Sequence, residues 1–397
     1  MRTLIVNSMF ASTAYRRCAD ELGKCPGMEL TMLTVDRWRM NNRSMPFEPM
    51  AADVPYATVV GKAAWRGFEN RGFYTSGLRR AFQISKPEVL FLMEEPFSVF
   101  ALELMIAKSI FAPQAPIVFF TWNNLSLTEF DYRPSFFYRN VARQILPRMA
   151  FALTANADGV SVLRSNGFDK PVHTIGYGVD TARYRFVPKE RINTLRERLS
   201  IAADDRVIGY VGRLLDMKGV DLLIEAFAQI REKHSNIKLL LVGSGESEFS
   251  LLQQARDRGI MADVRHVPSV AQHEVPDYMH VLDVLVLPSR RKGMWAEQFG
   301  RVLVEAMAAG TIVIGSDSGA IPEVIADAGF VFPENDARAL ARSMETALSL
   351  HQEEKRSLLE RASNRADYFS WERFAKDSFE ALTYAHRHRT ALQTRSL

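Results

Sequence analysis

Two carboxylates, Glu297 and Glu305, are eight positions apart in the segment Glu297-Gln-Phe-Gly-Arg-Val-Leu-Val-Glu305. The apolar spacing between Gly300 and Gly310 predicts a helix that begins at or just after the first glycine and ends at the second. Glu305 then lies on the helix, and Glu297 lies in the loop before it. Such a pair can contact the end and the middle of an extended ligand, with the helix N-terminus aimed between them. A nucleotide-sugar has this shape, and its diphosphate suits a helix N-terminus.

Two cations precede this segment. Arg213 follows the predicted strand Val207–Val211, Lys218 comes five residues later, and Gly212 and Gly219 stand beside them. Ligands of open parallel sheets bind at the carboxyl ends of strands, so both cations are expected on the crevice side. A guanidinium binds phosphate oxygens in a bidentate manner, and an ammonium adds a point charge. A solvated turn is the alternative interpretation, but the carboxylate pair downstream favours a diphosphate site.

Short apolar strands alternate with helical segments along the chain. The predicted strands are Thr3–Asn7, Leu30–Val35, Ala57–Val60, Val89–Met93, Ile117–Thr121, Ala152–Ala155, Val207–Val211, Lys238–Val242, Val264–Val267, Val284–Leu287, Thr311–Gly315 and Gly329–Phe332. Strands of this kind between helices indicate parallel sheets covered on both faces. Because the pattern occurs twice, we predict an α/β protein with two doubly wound, Rossmann-like domains. The boundary is expected near residues 170–189, where glycines and charges replace the periodic pattern.

The bulk properties are those of a globular protein. The 397 residues are 47% hydrophobic and 24% charged, which excludes a disordered chain. Cys18 and Cys25 are expected as reduced thiols. Four charged residues interrupt the apolar stretch 89–120, and the first strand is too short for a signal peptide, so we expect a cytoplasmic protein without a membrane-spanning helix. The net charge of +4 belongs to the first half of the chain, but an excess this small lacks the dense basic clusters that are typical of nucleic-acid binding.

The motifs resemble, in order and spacing, those of the GT-B retaining glycosyltransferases of glycosyltransferase family 4, or glycosyltransferase group 1. The matching segments are Gly212-Arg213, Lys218-Gly219, Leu241-Val-Gly243-Ser-Gly245-Glu246, Leu287-Pro-Ser289, Glu297-x7-Glu305 and Ser318-Gly-Ala-Ile-Pro322-Glu323. The resemblance is strong over residues 200–330 and weaker elsewhere. It implies an acceptor-side domain over residues 1–172 and a donor-binding domain over residues 173–371, which face each other across a cleft. The last helix, about 372–397, is expected to cross back to the first domain.

The resemblance also implies roles for individual residues. Arg213 and Lys218 would hold the donor diphosphate and stabilise it as it leaves, and Glu297 would contact the donor sugar. These three residues form the expected catalytic set, and Glu305 would accept the ribose hydroxyls. The other residues expected to bind the donor are Gly212, Val267, Pro268, Phe299, Gly300, Val302 and Leu303.

The resemblance implies transfer with retention of configuration. A covalent glycosyl-enzyme on Glu297 is one route, and the family pattern favours the other, a front-face attack. Two cations and a helix N-terminus can replace a divalent ion, so we expect no metal and no cofactor. A UDP- or GDP-sugar is the expected co-substrate.

The first half departs from the family pattern. Many relatives contact the donor sugar through a His of the first domain, but all eight His residues here lie at position 173 or later. Asn123 or Asn124, in the strand end Thr121-Trp122-Asn123-Asn124, is expected in its place. Either amide can hydrogen-bond a sugar hydroxyl, but neither can act as a base at neutral pH. Trp122 is a further candidate on the sugar or acceptor side.

Three more candidates for the acceptor side follow strands of the first half. Ser12 lies in Ser8–Thr13, where relatives often have a glycine-rich loop, and its small neighbours still permit close approach of a ligand. Glu94 and Glu95 follow another strand, so they are candidates for binding acceptor hydroxyls or acting as a base. A solvated turn is the alternative for the two carboxylates.

Two segments of the first half, Lys62–Phe82 and Tyr132–Phe151, mix aromatic and basic residues. A basic amphipathic face can rest on an anionic bilayer, which would place the protein at the inner face of the membrane beside a lipid-linked acceptor. The alternative is an ordinary helix with its aromatic residues in the core.

The leading functional prediction is sugar transfer from a nucleotide-diphosphate-sugar to a glycan or lipid-linked saccharide, in surface polysaccharide biosynthesis. A nucleotide-sugar epimerase of the same fold and a non-catalytic sugar-nucleotide binding protein are the alternatives. A nicotinamide dehydrogenase is disfavoured because no G-x-G-x-x-G follows the first strand.

Overall fold

A computed structural model describes residues 1–40, 43–65, 70–124, 135–293 and 295–389. The chain divides into two compact units, one formed by Met1–Gly178 with the segment from Trp371 onward, the other by Val179–Ser370. The first unit extends beyond residue 172 because Tyr177 packs on Trp122 and Trp371, with ring centroids 4.0 and 4.7 Å apart. No helix in the described ranges has the length and apolar character needed to cross a bilayer.

The two units are built from short strands and helices in alternation. The strands are β1 (Arg2–Val6), β2 (Glu29–Val35), β3 (Arg37–Met40), β4 (Arg43–Pro46), β5 (Tyr56–Ala64), β6 (Phe73–Ser76), β7 (Val89–Leu92), β8 (Ile117–Thr121), β9 (Phe151–Thr154), β10 (Val172–Thr174), β11 (Arg206–Val211), β12 (Ile237–Val242), β13 (Val264–Val267), β14 (Val284–Leu287), β15 (Ile312–Ser316) and β16 (Phe330–Phe332). The helices are α1 (Arg17–Gly23), α2 (Leu78–Ser85), α3 (Val99–Phe111), α4 (Ser135–Ile145), α5 (Ala157–Ser165), α6 (Lys189–Arg198), α7 (Val220–Arg231), α8 (Glu248–Asp257), α9 (Val275–Val281), α10 (Arg301–Ala308), α11 (Ile321–Ile325), α12 (Ala337–Ser349), α13 (Gln352–Tyr368) and α14 (Trp371–Arg387).

The sheet of the first unit has the strand order β10-β9-β8-β7-β1-β2-β5-β6. Its strands are parallel except β6, which pairs with β5 in the antiparallel direction. Every residue of β7, β8 and β9 is buried, as expected for strands covered by helices on both faces. The six strands predicted in this half are all present, so the doubly wound fold is confirmed here.

The segment Lys62–Phe82 does not form the single helix that was considered for it. It contains the end of β5, then β6, then α2, and its residues 66–69 lie outside the described part of the chain. Aromatic and β-branched residues in Phe73–Ser76 favour a strand there. In the second segment, α4 accounts for the helical pattern, while Tyr132 and Arg133 lie outside the described residues.

The last helix, α14, belongs to the first unit, which confirms the predicted return of the chain. Phe374 packs against Phe120 of β8 at 5.3 Å, and Tyr384 packs against Phe151 of β9 at 5.6 Å. The helix buries one apolar stripe that includes Leu382 and leaves its other face in solvent, as its sequence periodicity requires.

The sheet of the second unit is wholly parallel, with the order β13-β12-β11-β14-β15-β16. All six strands predicted for this half are present. Strand order reverses between β11 and β14, and such a reversal opens a crevice at the carboxyl ends of the two strands. The loops after β11 and β14 carry Arg213, Lys218 and Glu297, so the fold brings these residues to that crevice.

Candidate functional site

Loops from neighbouring strands are joined at the carboxyl edge of the second sheet. The N–H of Gly212, after β11, donates to Val242 O at 2.9 Å, and the N–H of Ala320, after β15, donates to Glu297 O at 2.8 Å. The N–H of Arg290, after β14, donates to Met217 O at 2.9 Å. These bonds hold the loops that carry the cations and the first carboxylate at fixed positions.

Two glycines permit this close approach of loops. Gly219 has φ +67°, and a Cβ there would overlap the carbonyl oxygen of Pro288. Gly319 has φ +57°, and a Cβ there would overlap the backbone of Glu297. A side chain at either position would therefore push apart the loops that hold Lys218 and Glu297.

Lys218 and Glu297 form an ion pair in the crevice. The Lys218 Nζ lies 2.6 Å from Glu297 Oε2, and the Ser289 hydroxyl donates to the same oxygen at 2.9 Å. Only 15% of the lysine side chain and 12% of the glutamate side chain are exposed. The Nζ also lies 4.7 Å from the centre of the Trp295 ring. An incoming diphosphate can displace the Glu297 carboxylate and bind the Lys218 ammonium in its place.

Tyr210 connects Arg213 to the same pair, because both Arg213 and Glu297 act on its phenol. The Tyr210 hydroxyl donates to the carbonyl oxygen of Arg213 at 2.8 Å. Burial raises the pKa of the Tyr210 phenol, the Glu297 carboxylate raises it further, and the Arg213 guanidinium opposes the rise. Both charges therefore lie near one ring, while the Arg213 side chain is exposed to solvent and accessible to a ligand.

Helix α10 begins at Arg301, just after Gly300 as predicted, because Gly300 with φ +77° is its N-cap residue and ends the loop. Leu303, Ala306 and Met307 then form its buried stripe. The first N–H groups of a helix have no partner within it and carry partial positive charge. Gly300 is three residues after Glu297. From the family resemblance, we expect the donor diphosphate at this helix N-terminus.

Glu305 is buried on α10 and has three polar neighbours. Burial raises the pKa of its carboxyl, and the Arg301 guanidinium, a hydrogen bond from the Tyr184 hydroxyl and the Arg183 charge oppose the rise. Arg301 Nε lies 3.1 Å from Glu305 Oε1. Gln272 also donates to the Tyr184 oxygen, at 3.2 Å. These groups limit the rise that burial causes, and the Glu305 pKa stays above its ordinary value.

The other residues expected on the donor side differ in what they can offer a ligand. The side chains of Phe299 and Leu303 are buried, and Phe299 packs on Phe369 at 5.1 Å. These two residues can reach a ligand only through the backbone. Val302 and Val267 are partly exposed and Pro268 is exposed, so their side chains are accessible.

The candidates for the acceptor side lie in the first unit and are engaged with the fold. Glu95 Oε2 accepts a hydrogen bond from the Thr121 hydroxyl at 2.6 Å, and Oε1 accepts one from the Trp122 N–H at 3.2 Å. The Asn123 N–H donates to the Thr121 hydroxyl at 3.1 Å, and Asn124 is buried beside it. The structure therefore brings Glu95, Trp122 and Asn123 together at the ends of β7 and β8.

Glu94 and Ser12 are separate from that group. Glu94 is buried and accepts a hydrogen bond from the Ser8 N–H, so the solvated turn considered for it is wrong. The Ser12 hydroxyl donates to Glu48 Oε1 at 3.2 Å, which makes it part of the packing of the first loop.

Both cysteines of the chain lie in the first unit. Cys18 and Cys25 are free thiols, which confirms the prediction, and burial raises the pKa of the Cys18 thiol. A metal ion needs several His, Cys, Asp or Glu side chains close together. Within the described ranges there is no group of three or more of these side chains that could hold one.

Three residues of the site were not predicted to act there. Ser289 belongs to a motif that matches the family, and a hydroxyl just after a strand is a signal by which it could have been found. Trp295 lies in a long loop, and Tyr184 lies in the turn-rich boundary segment, so no periodicity marks either. Their contacts come from the strand order rather than from nearby sequence.

Residues 191–365 match the family described as Glycosyl transferases group 1. The D-inositol 3-phosphate glycosyltransferase of Jonesia denitrificans is 30% identical over 216 residues, which are 52% of this chain and 50% of that protein. The lipopolysaccharide 1,2-N-acetylglucosaminetransferase of Salmonella typhimurium is 31% identical over 197 residues, which are 46% of this chain and 50% of that protein. The chain thus spans about half the length of the curated relatives it matches.

The crystal structure of Anabaena HepE in complex with UDP aligns with 97% of this chain and 100% of its own, at a TM-score of 0.69 and 19% identity. An identity this low shows the fold alone, and it confirms the predicted GT-B class for a chain of two α/β units. The motifs, the strand order and the solved structure agree on the GT-B fold for this chain, and its residues 191–365 match the Glycosyl transferases group 1 family.

Proposed function

We propose that this protein is a glycosyltransferase that moves a sugar from a nucleotide-diphosphate-sugar to a glycan or lipid-linked acceptor. The observation that carries the proposal is the exchangeable Lys218–Glu297 pair beside Arg213, at the reversal point of a Rossmann-type sheet. The match of this unit to a family described by the same activity supports it.

In the proposed transfer, each charged group has its own task. Lys218 leaves Glu297 for the donor diphosphate, and Arg213 closes on the phosphate oxygens from the solvent side. As the bond from the sugar to the diphosphate breaks, negative charge grows on the leaving oxygens, and both cations bind them more strongly than before. The N-terminus of α10 adds its partial positive charge.

The two carboxylates then have different tasks. Glu297, once released by Lys218 but still bonded to Ser289, accepts hydrogen bonds from the hydroxyls of the donor sugar. Glu305 accepts hydrogen bonds from the ribose hydroxyls, and this task requires its charged form. This assignment follows the family pattern and is supported by the groups that hold each carboxylate.

Retention, metal independence and the absence of a cofactor are part of the proposal. Retention rests on the family motif alone, and ¹H NMR of the fresh product, which distinguishes α from β anomers, tests it. Metal independence is supported by the two cations and the helix N-terminus. Activity should survive excess EDTA, and full loss that Mg²⁺ restores would contradict it.

The proposal extends to the acceptor and its location. A matched relative is named for lipopolysaccharide, and HepE was crystallised with UDP, so a surface polysaccharide acceptor and a UDP-sugar are the first candidates to test. Peripheral membrane contact is supported by α2, where exposed Arg80 and Ile84 share one face and Ile84 is 48% exposed. Flotation with anionic but not neutral vesicles is the expected result.

The decisive experiment has two steps. A thermal-shift panel of UDP- and GDP-sugars identifies the donor, because only a ligand that binds the folded state raises the melting temperature. Release of nucleoside diphosphate is then measured with and without acceptor glycans. Conversion of the donor sugar without acceptor would favour an epimerase. Binding without any conversion or transfer would favour a non-catalytic binding protein.

A further inference from the structure

The loop that joins β14 to α10 is attached by ion pairs to residues on both sides of Lys218. The Arg290 guanidinium pairs with Asp221, and the Lys292 ammonium pairs with Asp216. The Arg290 N–H also donates to the Met217 carbonyl oxygen at 2.9 Å. Asp216 and Asp221 flank Lys218 in sequence, so the two loops are attached just before and just after the lysine.

Backbone hydrogen bonds within the same loop hold Trp295 near the lysine. Lys292 and Trp295 exchange both backbone hydrogen bonds, each at 3.0 Å. Since Lys292 is already attached to Asp216, this pairing fixes the backbone of Trp295 near the Lys218 loop. The Lys218 Nζ then lies 4.7 Å from the centre of the indole ring. This distance is within the range of a cation–π interaction.

The ring has a consequence for the lysine chemistry. An ammonium on a four-carbon stem is strongly hydrated and samples many rotamers. Here the indole face and the Glu297 carboxylate occupy the place of water around Lys218, whose side chain is 15% exposed. A charge shielded from water interacts more strongly with a second charge. The π face of the indole does not compete with carboxylate or phosphate oxygens for the ammonium. The ring can therefore stay in contact with Lys218 while the ammonium exchanges Glu297 for a phosphate oxygen.

We propose that Trp295 is a positioning residue for Lys218, which keeps the ammonium in place and shielded while it transfers from Glu297 to the donor diphosphate. This inference rests on the proposed function, because it assumes that Lys218 binds a diphosphate. Trp295 is the only tryptophan in residues 179–370, so its replacement changes one indole ring in this unit.

The test uses nucleoside diphosphate binding, measured by calorimetry with UDP and GDP on the full chain. Trp295→Phe keeps an aromatic face, whereas Trp295→Leu keeps apolar volume only. Trp295→Leu should weaken binding about tenfold and Trp295→Phe by less than about threefold, as expected for a shielded cation–π pair. Trp65→Leu, which removes a tryptophan 62% exposed in the other unit, is the control and should bind like wild type.

A second background separates positioning from a direct or structural role. In Lys218→Met, the Trp295→Leu change should alter binding by less than about twofold, because the cation through which the ring acts is gone. An equal loss in both backgrounds, or wild-type binding by Trp295→Leu, would overturn the inference. If the wild type binds neither UDP nor GDP, the proposed function itself fails.

Discussion

The carboxyl edges of the two sheets use glutamates in opposite ways. At the second sheet, Glu297 is paired with the end of a lysine side chain, a partner that can move to another anion. At the first sheet, Glu94 and Glu95 accept hydrogen bonds from backbone N–H groups and from Thr121, partners that cannot leave without disturbing the fold. A carboxylate at a strand end is therefore available for ligand chemistry only when its partner is exchangeable.

The largest effect that this comparison predicts is at Lys218. Lys218→Ala should lower kcat/KM for the donor by about 10²–10³-fold, because it removes a preorganised charge from the leaving group. The control is Lys233→Ala, which breaks the exposed pair with Glu345 and should leave kinetics unchanged. Steady-state kinetics with the identified donor measure both variants. A loss of less than about tenfold for Lys218→Ala would contradict a role of this lysine in stabilising the leaving group.

The matched pair Glu95→Gln and Glu297→Gln tests the comparison from both sides. Glu95→Gln should lower the free energy of unfolding by about 1–3 kcal/mol, because it weakens hydrogen bonds to a charged acceptor. Glu297→Gln should change stability less and turnover more. Urea unfolding and initial rates give the two values. A Glu95→Gln variant that unfolds like wild type but needs more acceptor would make Glu95 a binding group.

A smaller effect concerns the second carboxylate of the donor unit, Glu305. Burial raises its pKa, and the hydrogen bond from Tyr184 opposes the rise by favouring the charged form. Tyr184→Phe removes that bond, so the Glu305 pKa rises further and the acid loss of diphosphate affinity should begin at higher pH. Calorimetric Kd values between about pH 5 and pH 8 measure this shift. Identical pH profiles would show that Glu305 does not need its charge.

The smallest effect concerns Glu103, a carboxyl of the first unit. Burial raises its pKa to about 7, and the hydrogen bond from the Tyr74 N–H opposes the rise. The folded state thus favours the protonated form, so this stabilising contribution is present below the unfolded pKa and is lost as pH rises through 7. Glu103→Gln should gain about 2–4 °C in Tm at pH 8 relative to wild type and little at pH 5. An unchanged Tm difference across this range would contradict it.

The sequence predicted those features of the fold that depend on local residue patterns. Runs such as Val284–Leu287 can only be buried strands, and Gly300 and Gly310 mark the two ends of α10. The short strand β6 was missed because its four residues carry too little periodicity, and its place depends on pairing with β5.

The partners of the candidate residues could not be predicted in the same way. Glu95 was recognised as the end of a strand, but its contact with Thr121 depends on which strands are neighbours in the sheet. Tyr184 reaches Glu305 across more than 100 positions of sequence, and only the folded turn brings it there. Sequence motifs therefore identified the charged groups, and the fold determined which of them can exchange partners.

The attachment of α14 to the first unit has a consequence for biosynthesis. The ribosome makes Met1–Gly178 before Val179–Ser370, but Trp371 and Phe374, which cover part of the first unit, follow both of these segments. The aromatic surface of Phe120 and Tyr177 is not covered by these two residues until the whole second unit has been synthesised. The unit that is synthesised first is thus the last to finish folding, and during translation its exposed rings are a target for chaperones.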